Sequence, residues 1–223
     1  MVRLFLFLCV CAVPLNAGPW SRGAGNSFVS LSYETPFKTP ADTGYASLYI
    51  ERGLDDVWTL GLDAGSDLRD TRFAFLFLKR PIQRADGPYK LSWEAAVGAA
   101  QLFNQSALTV RSGLSFGRGT RWFQRDGWAT LDLYYTLAPE HAVWWSKAEV
   151  TAGLDLTDRT KLLLQATAEQ TSFGGAFHSV GLAGAVRLRP GLHLLTGVIA
   201  KDHAASPVLK VGFWHEFSRR KSR

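Results

Sequence analysis

The chain has 223 residues, a formal net charge of +6 and two cysteines. A mean hydropathy of −0.02 excludes a bundle of membrane helices, and charges of both signs spread along the whole length exclude a dedicated nucleic-acid surface. Cys9 and Cys11 both fall in the first segment, so a disulfide-stapled miniature domain is excluded as well.

That first segment reads as an export leader. Met1-Val2-Arg3 is charged, Leu4 to Val13 is an unbroken apolar run, and Pro14-Leu15-Asn16-Ala17 supplies a cleavage site, so residues 1–17 are expected to be removed. The run is shorter than the roughly 20 apolar residues of a spanning helix. Its cysteines sit inside the run rather than after small residues, which excludes a lipoprotein. Residues 18–26 follow, with Trp20 and Arg22, as a candidate inward-folding plug.

From residue 27 the dominant period is two. Twelve runs alternate, near 27–34, 44–52, 57–65, 72–80, 89–101, 106–117, 127–137, 146–157, 161–171, 178–189, 191–201 and 208–217. In residues 146–157, Ala148, Val150, Ala152, Leu154 and Leu156 oppose Lys147, Glu149, Thr151, Gly153 and Asp155. A strand separates these sets and a helix mixes them. The run 72–80 is ambiguous, because Phe73, Phe75 and Phe77 alternate with Ala74, Leu76 and Leu78. Arg52 to Asp56, Thr157 to Thr160 and Arg189 to Gly191 read as tight turns. Longer pieces come between them: 35–43, 101–105, 138–145, 172–177 and 202–207. Residues 81–88 and 118–126 break that short–long alternation.

The expected fold is all-β: an antiparallel up-and-down transmembrane β-barrel of about 12 strands, with 10–14 as the range. It occupies 27–217 as one domain, followed by a basic tail, 218–223. A soluble periplasmic sandwich or small barrel also alternates and is the competing reading. The membrane reading draws on a charged polar face and on aromatics near strand ends: Tyr45, Tyr89, Trp93, Trp122, Trp128, Trp144, Trp145, Phe213 and Phe217. In lipid the sheet must also close, since an unpaired backbone group there costs several kcal/mol. The expected lumen-lining residues are Asp63, Glu94, Arg111, Asp132, Lys147, Glu149, Asp155, Glu169 and Lys210. Small lumen residues such as Ser92, Ala96, Gly98, Gly181, Ala183 and Ala185 point to free space inside.

Lys210, Gly212 and Phe217 match a second pattern. The run Lys210-Val211-Gly212-Phe213-Trp214-His215-Glu216-Phe217 resembles the terminal assembly motif of outer-membrane barrels, with His215 and the basic tail as departures. The resemblance implies the outer membrane of a Gram-negative bacterium, contact with its lipids, and recognition by the barrel-insertion machinery. Gly18-Pro19-Trp20-Ser21-Arg22-Gly23 and residues 45–56 look like the opening of short, uncharacterised alphaproteobacterial outer-membrane proteins. That likeness transfers no functional residue.

No phosphate loop, dinucleotide fingerprint, HExxH or GxSxG is present, and no cofactor is expected. His141, His178 and His203 fall in or beside three successive loops. They are weak metal candidates and read first as solvated loop histidines. Ser179 with a loop histidine would be the core of a lipid hydrolase, yet His178 and Ser179 are neighbours and point to opposite faces. The function expected first is a narrow channel, or a barrel that binds a small solute. A non-conducting surface-interaction barrel and a lipid hydrolase are the alternatives.

Overall fold

The computed structural model describes residues 18–37, 44–69, 71–82, 87–102, 105–204 and 206–218. The expected leader, 1–17, and residues 219–223 of the tail lie outside the described residues. Twelve strands follow in chain order: β1 Ser27–Pro36, β2 Tyr45–Gly53, β3 Thr59–Ser66, β4 Arg72–Pro81, β5 Tyr89–Leu102, β6 Gln105–Trp122, β7 Arg125–Ala138, β8 Val143–Asp155, β9 Thr160–Thr171, β10 Ala176–Arg189, β11 Leu192–Lys201 and β12 Val208–Phe217. Each strand pairs antiparallel with its sequence neighbours. β12 closes on β1 from Ser27↔Phe217 to Pro36↔Val208. No described helix is long enough to cross a membrane; a three-residue 3-10 turn, Pro139–His141, joins β7 to β8.

Burial runs inside out relative to a water-soluble protein. Leu31, Leu76, Val97, Leu108, Leu164, Val180 and Leu182 are each about half exposed or more, whereas Glu51, Thr59, Thr109 and Thr136 are essentially inaccessible. Cross-strand partners share a face and successive residues alternate, so the exposed aliphatics form one outer belt and the buried polar groups line the inside. Leaving a Leu or Val in water rather than hydrocarbon costs on the order of 2 kcal/mol. Such aliphatic or aromatic residues stand exposed on ten of the twelve strands, all but β2 and β3, which excludes the soluble sandwich and fits a bilayer.

Three expectations about local structure change. Residues 118–126 are not a long break: β6 and β7 run on to Trp122 and from Arg125, and only Phe123-Gln124 turns. Both turn residues have positive φ (50° and 61°), as a two-residue hairpin that matches strand twist requires. β8 begins at Val143, so Trp144 and Trp145 belong to a strand rather than a loop. The short–long alternation is also absent. On the rim away from the termini, residues 139–142 and 172–175 are as tight as turns on the terminal rim, where seven residues separate β4 from β5.

Candidate functional site

The inward face of the barrel gathers the chain's charged and polar side chains. Asp63 stands on β3, Glu94 on β5, Arg111 on β6, Asp132 on β7, Lys147, Glu149 and Asp155 on β8, Glu169 on β9 and Lys210 on β12, all in the inward phase. The register sets several side by side: Asp132 opposite Glu149, Lys147 opposite Glu169, Asp155 opposite Lys161 and Lys210 opposite Glu34.

Arg111 is the hub of one group. Its guanidinium donates to Asp63 Oδ2 at 2.6 Å and to Glu94 Oε1 at 2.8 and 3.1 Å. It also lies 4.4 Å from the Phe75 ring and 4.9 Å from the Tyr134 ring. A second group joins Glu51 to both Arg22 and Lys79, while Tyr49 Oη donates to Glu51 Oε1 at 2.8 Å. Lys147 pairs with Glu149 at 2.7 Å, and Lys161 pairs with Asp155. Across the seam where the barrel closes, Glu34 accepts from Lys201 at 2.8 Å and faces Lys210 at 3.5 Å. Buried charges need partners to offset lost hydration, and the alternating pattern of neighbouring strands supplies most of them.

The segment ahead of β1 enters this network. Lys79 Nζ donates to the Gly18 carbonyl at 2.8 Å, and Pro19 is fully buried. A Cβ on the lumen-facing Gly117 would meet Pro19 and Trp20 within 3 Å. Arg22 lies 4.4 Å from the Phe28 ring, and Gly25 and Asn26 exchange backbone bonds with Gly53. Residues 18–26 therefore lie against the inner wall.

Aromatic rings fill much of the remaining width. Phe75, Phe77 and Ala96 are buried together, and Tyr49, Phe73 and Trp145 pack on them, so the ambiguous run turns its phenylalanines inward. Trp128, Tyr45 and Trp145, expected at the membrane boundary, also point inward, in phase with Thr130, Ser47 and Lys147. Several lumen glycines are not free space, because rings from adjacent strands lie on them: Phe77 on Gly61, Tyr134 on Gly113 and Trp128 on Gly153. The opposite flank, around Gly181, Ala183 and Gly197, carries no such ring. Beside it a cavity of about 80 Å³ is bounded by Phe28, Trp128 and Trp214 and by Asp132, Glu149 and Glu216.

The histidines fall into separate places. His178 Nδ1 bonds Asp202 Oδ2 at 2.9 Å and His203 Nδ1 bonds Asp202 Oδ1 at 3.1 Å, on the rim away from the termini. These contacts hold the exposed Asp202 carboxyl down at about 2, chiefly through His178. His141 ends the 3-10 turn and does not join them. Among the described residues no group of three or more His, Cys, Asp or Glu could hold a metal ion, and no hydrogen bond links Ser179 to a histidine. Reading by period overlooked Arg22, Glu34, Glu51, Lys79, Lys161 and Lys201. Five of these six share the parity of an expected lumen residue: Lys79 pairs in register with Glu94, Lys161 with Asp155 and Glu34 with Lys210, Glu51 stands two residues after Tyr49, which pairs with Asp63, and Lys201 four residues after Gly197, which pairs with Ala183.

No protein family model matches the chain, and no curated protein matches it in sequence. Solved structures match its shape. The KdgM porin superimposes with a TM-score of 0.62 at 8% identity, covering 86% of this chain and 99% of the porin. The NanC porin gives 0.58 at 6% identity, over 85% and 98%. The COG4313 outer membrane channel from Pseudomonas putida F1 gives 0.53 at 12% identity, over 92% and 99%. At these identities the likeness is one of fold: this chain is a closed antiparallel transmembrane barrel of the architecture seen in outer-membrane channels.

Proposed function

We propose that the protein is an outer-membrane channel of narrow bore, selective for small solutes, in which residues 18–26 act as a plug. One observation carries this reading: the wall is charged, and the segment inside it is held by the Glu51–Arg22 and Lys79 contacts rather than by a continuous apolar core. The shared fold with the KdgM, NanC and COG4313 structures supports it. Arg111, Asp132, Lys147, Glu149 and Asp155 act as the wall charges that tune which ions pass. The leader 1–17 exports the chain, and the strand ending at Phe217 is what the barrel-insertion machinery recognises. Gly212 fits that closing role, since a Cβ there would come within 3 Å of Leu31 O and Ser32 Cβ on β1.

The test is planar-bilayer conductance of refolded protein. Small, ion-selective steps are expected, rising at least twofold in Arg22→Ala, where the segment loses its anchor on Glu51. A sealed bilayer with both proteins, alongside a folded band on a heat-modifiability gel, would refute the channel. A non-conducting barrel is the second reading, favoured by Trp145 packing with the Phe75–Phe77 cluster, and that same sealed result would establish it.

A further inference from the structure

The cavity between Trp128 and Trp214 is built unlike the rest of the lumen. Elsewhere each buried charge meets an opposite one. Here Asp132 is 7% exposed and its Oδ1 has no hydrogen-bond partner, although it lines an open space. Glu149 and Glu216 line the same space. The nearby cations are already engaged: Lys147 by Glu149, Lys161 by Asp155, Arg22 with Lys79 by Glu51, and Lys210 with Lys201 by Glu34. A buried carboxylate oxygen with no partner is unfavourable, so the cavity is complementary to a further positive charge placed at Asp132 Oδ1.

The walls decide what kind of cation. Trp128, Trp214 and Phe28 line it, and aromatic rings attract weakly hydrated cations; Arg22 already lies over Phe28 and Lys161 over Trp128. Calcium or magnesium would need six or more oxygen ligands, and no metal-holding group of acids or histidines occurs among the described residues. We infer that the cavity binds a small primary alkylammonium ion, its three N–H donors on Asp132, Glu216 and Glu149 and its alkyl end against the indoles. The size limits the ligand. At about 30 Å³ per water-sized group, some 80 Å³ admits two or three heavy atoms, which fits methylammonium or ethylammonium. This goes beyond the channel reading and holds whether or not current crosses the barrel.

The test uses the refolded full chain in detergent micelles, titrated with methylammonium chloride against sodium chloride of equal ionic strength. Heat is recorded by calorimetry and indole emission by fluorescence. Saturable binding with a change in emission is expected, weakened at least tenfold in Asp132→Asn and in Glu216→Gln. Asp132→Asn keeps the shape of the side chain; if it fails to fold by heat-modifiability, Glu216→Gln alone carries the comparison. Tetramethylammonium, with five heavy atoms, should not compete. The site is overturned by absence of saturable binding to the unmodified protein, by undiminished binding to the folded variants, or by calcium displacing methylammonium at lower concentration. Conductance measured on the same samples separates the claims: current without binding removes the site, and binding without current removes the channel.

Discussion

Truncating Arg111 to alanine measures how dry the lumen is at that level. The side chain is 8% exposed, and its partners Glu94 and Asp63 are 4% and 25% exposed. Removing it strands two carboxylates and takes the cation off two rings. Breaking a buried ion pair from one side costs about 3–5 kcal/mol. Asp63 retains water access, so the lower end, about 3 kcal/mol, is expected for Arg111→Ala. The triple variant Arg111→Met, Asp63→Asn, Glu94→Gln removes all three charges at similar volume. It should recover to within about 1 kcal/mol of the unmodified protein, because well-packed neutral replacements of buried ion networks are often no less stable. Urea unfolding in lipid vesicles, followed by tryptophan emission and extrapolated linearly, gives both values. A loss below about 1 kcal/mol in Arg111→Ala would refute the reasoning, since only a water-filled lumen would hydrate both carboxylates so cheaply.

Two further predictions follow from local geometry. Gly153→Ala places a methyl group inside the space of the Trp128 indole; overpacking of this kind costs about 1–3 kcal/mol, and an unchanged urea midpoint would show that the ring does not rest there. At the rim, Asp202 has its carboxyl lowered from 3.8 to about 2 by His178 and His203. A lowered acid stabilises the folded form fully above its ordinary value and loses that contribution as pH falls through the folded one. The loop contact should therefore persist at pH 4 and fade toward pH 2. Carbon NMR of the Asp202 carboxyl reads this directly, and a midpoint near 3.8 would sink the arrangement.

Parity made most of the barrel legible. In β8 the set Lys147, Glu149, Thr151 and Asp155 separates from Ala148, Val150 and Ala152 without help from any other strand, and the structure turns the first set inward. Where both phases are apolar the rule is silent. Phe75 and Phe77 could be assigned only through partners, because Phe75 sits opposite Asp63 and Lys79 opposite Glu94. Trp128, Tyr45 and Trp145 were misplaced for a different reason. Their residue type points to the boundary, whereas each stands in phase with a polar residue of its own strand, Thr130, Ser47 and Lys147. The bond from Arg22 to Glu51 had no periodic signal at all, since residues 18–26 are irregular and meet the wall through tertiary contact. Loop lengths misled because β6, β7 and β8 extend into residues whose Gly and Trp content resembled connections.

The rings seated on glycines tie β3 to β4, β6 to β7 and β7 to β8 in one particular alignment each. Slipping β3 against β4 by one residue would turn the outer aliphatics inward. Slipping it by two keeps every side chain on its proper side, and hydrophobicity alone would not object. In that register Phe77 faces Thr59 or Asp63 in place of Gly61 and presses against a side chain. A barrel extended strand by strand thus carries a vernier scale in its interior, able to reject the very misalignments to which a bilayer is blind.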